Sequence, residues 1–221
     1  MKKLLICLPV VMLFACNHTK EQNSQRSADS TAASNTRAVD SIMPVISVDS
    51  TASAVPDYKL IVPGKSIGIT AIGQKSEETG KDLGTPDDGD AAMGKSLSTW
   101  YSKNNPAYKT QVFSAIQMGK EEDMPRVKSI RVNNPFFETA SHLKAGSNLK
   151  EILAQFPAML LTGSYESSAK KPIKLYDDSE AGIAFEIDET DTCVGINVHT
   201  KGEKAFMQYL PFESSFVPVD N

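Results

Sequence analysis

The chain is short of the residues that staple small secreted proteins or hold metals. Its 221 residues include three cysteines, Cys7, Cys16 and Cys193, and three histidines. Cys7 lies inside an apolar leader and Cys16 at its end. Cys193 is then left without an intramolecular partner, and no disulfide framework is available. Past residue 57 the histidines are His142 and His199. Cys193 and His199 fall on one expected strand, about 20 Å apart at roughly 3.3 Å per residue, which excludes a direct nucleophile–base pair or a shared metal. Cys193 therefore reads as a small half-buried residue and His199 as a strand-end surface residue. No catalytic, cofactor-binding or metal-ligating residue is nominated, and no cofactor is expected. Positive charge is scarce too. Loss of Lys2 and Lys3 with the leader takes 23 basic residues to 21 against 27 acidic ones, a net charge near −6, opposite in sign to that of a nucleic-acid binder. Long hydrophobic runs are missing: the apolar stretch 4–15, broken by Pro9, is too short to span a bilayer comfortably. No Phe, Tyr or Trp occurs between Phe14 and Tyr58.

What is present at the start is informative. Met1-Lys2-Lys3 followed by an apolar run is a secretory signal. It ends Leu13-Phe14-Ala15-Cys16, which resembles the lipobox of bacterial lipoproteins. Small Ala15 suits cleavage, and the Cys16 thiol is the good nucleophile for an acyl donor. The expectations are a signal peptide over 1–15, lipid (palmitate among the acyl groups) on Cys16, and a lipid-anchored protein of the cell envelope. Asn17 after the cysteine points to the outer membrane and its periplasm by the enterobacterial sorting rule. Residues 16–57 are rich in Ser, Thr, Ala, Asn and Asp. They cannot bury enough apolar surface to offset their ordering entropy and read as a disordered tether, with a reach of roughly 35 Å for about 40 residues.

From Tyr58 the texture changes to apolar runs, aromatics and Gly/Pro turns. Residues 173–176, 182–187 and 193–199 read as strands: Ile183, Phe185 and Ile187 alternate with Ala184 and Glu186, and Val194, Ile196 and Val198 with Gly195 and Asn197. That period of two, with short acidic connections, predicts an antiparallel meander with one face buried. Ahead of it, Leu149, Ile152, Leu153 and Phe156 make a helical face that Ser147 or Asn148 can cap and Pro157 stops. An earlier segment, from Gly73 to Leu83, has the same length before its own Gly-Thr-Pro, and is followed by strand candidates at 97–101, 108–118 and 127–132. The order suggests a duplication with a period of about 73 residues, with a first repeat over 58–140 and a second over 141–221. In the first copy Ser76, Thr79 and Gly80 stand where the second has Leu149, Ile152 and Leu153.

Two motifs invite an enzymatic reading of "VPGKSIGIT", residues 62–70. A phosphate-binding loop needs a glycine five before Gly64, where Lys59 stands. The G-x-S-x-G pattern from Gly64 to Gly68 needs a strand, a sharp turn and a helix to expose Ser66, but Ile67-Gly68-Ile69-Thr70 does not begin a helix. A glycine-punctuated turn leading into a strand is the expectation. Asp87-Asp88-Gly89-Asp90 hints at a calcium loop, yet Lys95 occupies the position of the terminal glutamate. It reads as a solvated turn after Pro86. Asp177, Asp178, Glu180, Asp188, Glu189 and Asp191 read as solubilising turn residues. Trp100, the single tryptophan, is either tucked beneath a helix or exposed for a partner, and the core is favoured.

The segments "IGQKSEETGKDLGTP" and "LKAGSNLKEILAQFP", each followed by antiparallel strands, resemble the repeats of outer-membrane-assembly lipoproteins of the BamE type and of the tandem-repeat β-lactamase-inhibitor-protein fold. The resemblance implies a non-enzymatic binder of envelope proteins, and transfers no functional residue. The expected fold is α+β: two tandem helix-plus-antiparallel-three-strand repeats packed as one globular unit. The expected function is a membrane-anchored protein-interaction or assembly module whose partners are the membrane, through Cys16, and another envelope protein. A small-molecule or glycan-binding lipoprotein is the alternative, favoured by an aromatic-lined concavity, and an unrecognised enzyme is a third reading, favoured by ionisable residues converging in such a pocket.

Overall fold

A computed structural model describes residues 54–116, 124–208 and 215–219. The signal peptide, the lipobox with Cys16 and nearly all of the proposed tether lie outside the described residues. Chain order runs from a 3-10 turn at Asp57–Lys59 through β1 (Leu60–Val62), β2 (Ser66–Ile67), β3 (Thr70–Ala71) and α1 (Ser76–Leu83). Next come β4 (Asp88–Ala92), β5 (Lys95–Ser102), β6 (Asn105–Ala115), β7 (Arg126–Val132) and β8 (Glu138–Thr139). The remainder is α2 (Leu149–Gln155), β9 (Leu160–Glu166), β10 (Pro172–Asp178), β11 (Ile183–Ile187), β12 (Cys193–His199), a 3-10 turn at Ala205–Gln208 and β13 (Val217–Pro218).

The fold is β-rich, which overturns the α+β expectation. Strand takes 47% and helix 14% of the described residues, with two α-helices and two sheets. The large sheet has nine strands in the order β13-β9-β10-β11-β12-β7-β6-β5-β4, and the small one four in the order β3-β2-β1-β8. Neighbours are antiparallel except for β1 and β8. The helix-plus-three-strand unit fails because it undercounts strands. β4 (DGDAA) is exposed at every residue and carries no apolar alternation, so it reads as a turn, but its backbone pairs with β5 over five residue pairs. β9 (LLTGSYE) is interrupted by Gly163, and its pattern is bent by a register shift opposite Leu175 and Tyr176.

What recurs is a backbone clasp between a helix entrance and the last strand of a four-stranded meander. Gly73 N donates to Val127 O (2.8 Å), Val127 N to Gln74 O (2.9 Å) and Ser76 N to Pro125 O (2.9 Å). Further on, Gly146 N donates to Cys193 O (2.8 Å), Cys193 N to Ser147 O (2.9 Å) and Leu149 N to Asp191 O (2.9 Å). The two last strands, β7 and β12, then pair with each other, Ile130 with Val198 and Val132 with Ile196, flanking Arg131 and Asn197. This joins both meanders into one sheet.

The main core lies on one face of that sheet. Ile130, Val132, Ile183, Phe185, Ile187, Ile196 and Val198 meet Ile61 and Ile67 from the small sheet and Ile152 from α2. Asn148 caps α2, its Oδ1 accepting from Lys150 N (2.9 Å) while Glu151 accepts from Asn148 N (3.2 Å). Leu153, expected on the buried face, is 36% exposed. The meander also differs from the one-sided expectation: every residue of β11 is buried. Its second face is covered by Ala205, Phe206 and Phe216, which pack with Tyr165, Ile173 and Leu175.

α1 is the weaker helix, as its polar face predicts. Thr79 is its buried residue, and a hollow of about 200 Å³ lies against Ser76, Thr79, Gly80, Trp100 and Val112. A Cβ at Gly80 would meet no atom within 4 Å. Gly80→Ala is therefore expected to stabilise the domain by about 1 kcal/mol, because it lowers unfolded-state entropy without a clash. Urea denaturation of the two proteins checks this.

Candidate binding cleft

The sequence-stated motifs sort into structural parts first. Ser66 is the first residue of β2, directly after the turn that joins it to β1, and is followed by a second tight turn and β3. The strand–turn–helix that a hydrolase serine requires does not occur there. Gly64 and Gly68 take φ of 64° and 53°, so both glycines serve left-handed backbone. Cys193 sits in the apolar core. The register shift between Glu186 and Ile187 turns it to the side of Ile196 and Val198, off the face of His199. Burial pushes its thiol up to about 12 against a weak opposing bond to Gly195 O, so it carries no thiolate at neutral pH.

His199 is not a surface residue: it is 0% exposed. Its Nε2 lies 3.0 Å from Asp177 Oδ1 and its Nδ1 3.1 Å from Thr200 O, while Asp177 Oδ2 accepts from Ala205 N (2.8 Å). Asp177, read as a solubilising turn residue, is thus a buried anchor for the 3-10 turn at Ala205–Gln208. Asp178 is buried as well, and accepts from Ala181 N (3.0 Å). Every polar atom of the His199–Asp177 pair is committed to the fold, leaving no open face for a substrate.

A second buried polar group spans the same face. Arg131 Nε donates to Glu186 Oε1 (2.7 Å), Nη2 donates to Glu186 Oε2, and Nη1 donates to Gln111 Oε1 (3.0 Å). Tyr165 Oη donates to Glu186 Oε2 (3.0 Å). Burial opposes the Arg131 charge, but the Glu186 carboxylate and its hydrogen bonds outweigh burial and hold the guanidinium above its ordinary pKa. Asn197, paired with Arg131, accepts from Ser129 Oγ (3.0 Å), and its buried Nδ2 lacks a partner. These groups hold the sheet. Among the described residues no group of three His, Cys, Asp or Glu side chains is placed to bind a metal ion. Asp87-Asp88-Gly89-Asp90 is edge strand and its approach, not a solvated turn: Asp87 Oδ2 accepts from Tyr101 N (2.8 Å).

The concavity lies elsewhere. A cleft of about 510 Å³ opens between the end of the β5–β6 hairpin and the β7–β8 connection, a volume in the usual range for small-ligand sites. Trp100, Tyr101, Tyr108, Phe136 and Phe137 line it with Ser102, Asn104, Asn105, Lys109, Thr110 and Asn134. That is five aromatics from a chain with one Trp, six Tyr and nine Phe. Strand alternation puts Trp100, Tyr108 and Thr110 on one face of the hairpin and turns Tyr101 and Lys109 to the other.

Local sequence builds the walls. Asn133 grips the hairpin, its Oδ1 accepting from Lys109 N (2.7 Å) and its Nδ2 donating to Ala107 O (2.9 Å). Asn134-Pro135 makes an Asx turn, with Asn134 Oδ1 accepting from Phe136 N (3.0 Å). The turn presents Phe136, 44% exposed, edge-on to Phe137 at 5.1 Å and under the Lys59 ammonium at 4.9 Å. Trp100 packs on the main core and donates from Nε1 to Gly84 O (3.1 Å). It serves core and cleft wall at once, where the sequence reading favoured the core. The Tyr108 and Asn104 positions were not singled out in the sequence; the Asn-Asn-Pro turn before Phe136 is the signal that could have found the loop.

No protein-family model matches the chain, and neither a curated protein nor a solved structure matches it.

Proposed function

We propose that the protein is a lipid-anchored envelope lipoprotein whose folded part is a non-enzymatic binding module, and that it binds a discrete ligand in the aromatic cleft. The anchor rests on the Leu13-Phe14-Ala15-Cys16 lipobox. The binding site rests on one observation: aromatic side chains and amides far apart in sequence converge on a concavity of about 510 Å³. A broad, flat protein interface is supported less, because the exposed ring of Phe136 faces a cleft and not an open sheet. The titratable pairs that could do acid–base work, His199–Asp177 and Arg131–Glu186, are buried away from it.

Cys16→Ser is expected to leave the protein as unanchored precursor or soluble product; full partition into detergent by the variant would contradict the anchor. The site is tested in the native cell by a photoreactive amino acid at Asn104, within the cleft, or at Glu189, on the β11–β12 turn. An adduct is expected at 104 and not at 189. Equal labelling, or labelling at 189 alone, would overturn the cleft as the binding site.

A further inference from the structure

Resting on the cleft being the binding site, we infer that its ligand is a short, uncharged saccharide. Three properties of the lining carry this. The first is the pairing of ring surface with hydrogen-bonding groups. Trp100, Tyr108 and Phe136 supply flat apolar area, which matches the C–H faces of a pyranose. The polar tip of Tyr108 suits a ligand that is apolar on one side and wet on the other.

The second is the state of the polar groups. Among the described residues the side chains of Ser102, Asn104 and Thr110 and the hydroxyl of Tyr108 make no hydrogen bond. The Asn105 and Asn134 carbonyls are used by their own turns, which leaves the amide NH₂ groups free. These groups can both donate and accept, as a ligand dense in hydroxyls requires. An aliphatic ligand would desolvate them unpaired, which costs affinity.

The third is charge. Among the described residues no carboxylate lines the cleft, and Lys109 is the one charged residue there. Lys109 is a single ammonium, paired across the strands with Tyr101, and not part of a cluster. The Lys59 ammonium sits over the Phe136 ring. Nothing in the lining is arranged to clamp a carboxylate, a sulfate or a phosphate, which Arg forks or clustered Lys would do.

Trp100 is the single tryptophan and lines the cleft, so the intrinsic emission of the full chain reports on occupancy. The full-length Cys16→Ser protein would be titrated with cellohexaose, maltohexaose, xylohexaose, laminarihexaose and chitohexaose. An oligogalacturonate and laurate are the comparison probes. A saturable change is expected with at least one neutral oligosaccharide, weakened about tenfold or more by Phe136→Ala and by Tyr108→Ala. A response confined to laurate or to oligogalacturonate, and lost in Phe136→Ala, would keep the cleft and overturn the uncharged saccharide. A neutral-saccharide response untouched by Phe136→Ala, Tyr108→Ala and Asn104→Ala would overturn the cleft itself. Silence from all the neutral oligosaccharides would overturn the inference.

Discussion

Glu186→Ala is expected to destabilise the domain by about 3–5 kcal/mol, the cost of stranding a buried charge. The Glu186 side chain is 0% exposed and that of Arg131 is 8% exposed. Glu186 accepts from two guanidinium nitrogens and from Tyr165 Oη. Removing the carboxylate leaves Arg131 charged in the interior without its counter-ion, while its Nη1 still donates to Gln111 Oε1. Small domains have about 5–15 kcal/mol in total, so the loss is about a fifth or more of what holds the fold. Urea unfolding followed by circular dichroism should show a lower midpoint at unchanged slope. Replacing the whole group by apolar residues would cost much less, since the pair's mutual attraction largely offsets its own desolvation. A Glu186→Ala protein within about 1 kcal/mol of the parent would mean that water reaches the site.

The second large effect is expected at Gly68→Val, which should cost at least about 2 kcal/mol. Gly68 has φ of 53°, and a Cβ there would lie 2.8 Å from Tyr58 O and 3.2 Å from Phe137 Cε1. A left-handed conformation costs an L-residue roughly 1–2 kcal/mol before any clash, and a β-branched one more. The clash adds to it, because Tyr58 O is backbone and cannot move aside cheaply. Ser66→Ala should stay within about 0.5 kcal/mol, as for an ordinary surface change. A serine-directed phosphonate should not label Ser66, since no helix follows to present an activated hydroxyl. Stoichiometric labelling there would reverse the reading of the "GKSIG" stretch. Because Phe137 lines the cleft, Gly68→Val should also disturb ligand binding.

These two cases mark how far the sequence could be read. The strands with strong alternation, β11 and β12, were legible because Ile183, Phe185, Ile196 and Val198 repeat at a period of two. The capped start and proline stop of α2 were legible for the same local reason. β4 was not, because an edge strand of Asp, Gly and Ala is made by its neighbour's backbone and not by its own side chains. The second buried face was not legible either. Glu186, Asn197 and His199 read as the solvent side of a half-buried meander. Only the packing of Phe206 and Phe216 over that face, and the pairing of each charge across strands, makes them interior. The helix-plus-three-strand repeat failed on the same ground, since strands were counted by apolar pattern and two of them lack it.

The cleft was the least legible part. Trp100, Tyr108 and Phe136 are spread over three segments and carry no joint spacing. Register between β5 and β6 and the Asn133 clamp bring them together, and neither is a property of any short stretch. An aromatic-lined concavity is the feature of this fold that supports a small-molecule or glycan ligand over a flat protein interface.

The central claim is that this cleft is where the protein binds. The most direct measurement is a nitrogen-15 correlation spectrum of the full-length Cys16→Ser protein, titrated with the protein-free soluble fraction of its own cell envelope. The Trp100 indole N–H gives one isolated resonance. It should shift saturably together with amides of residues 101–110 and 134–137, while those of β9, β10 and β13 stay in place. Shifts confined to the β9–β13 edge, or an unmoved indole resonance at saturating extract, would contradict the account.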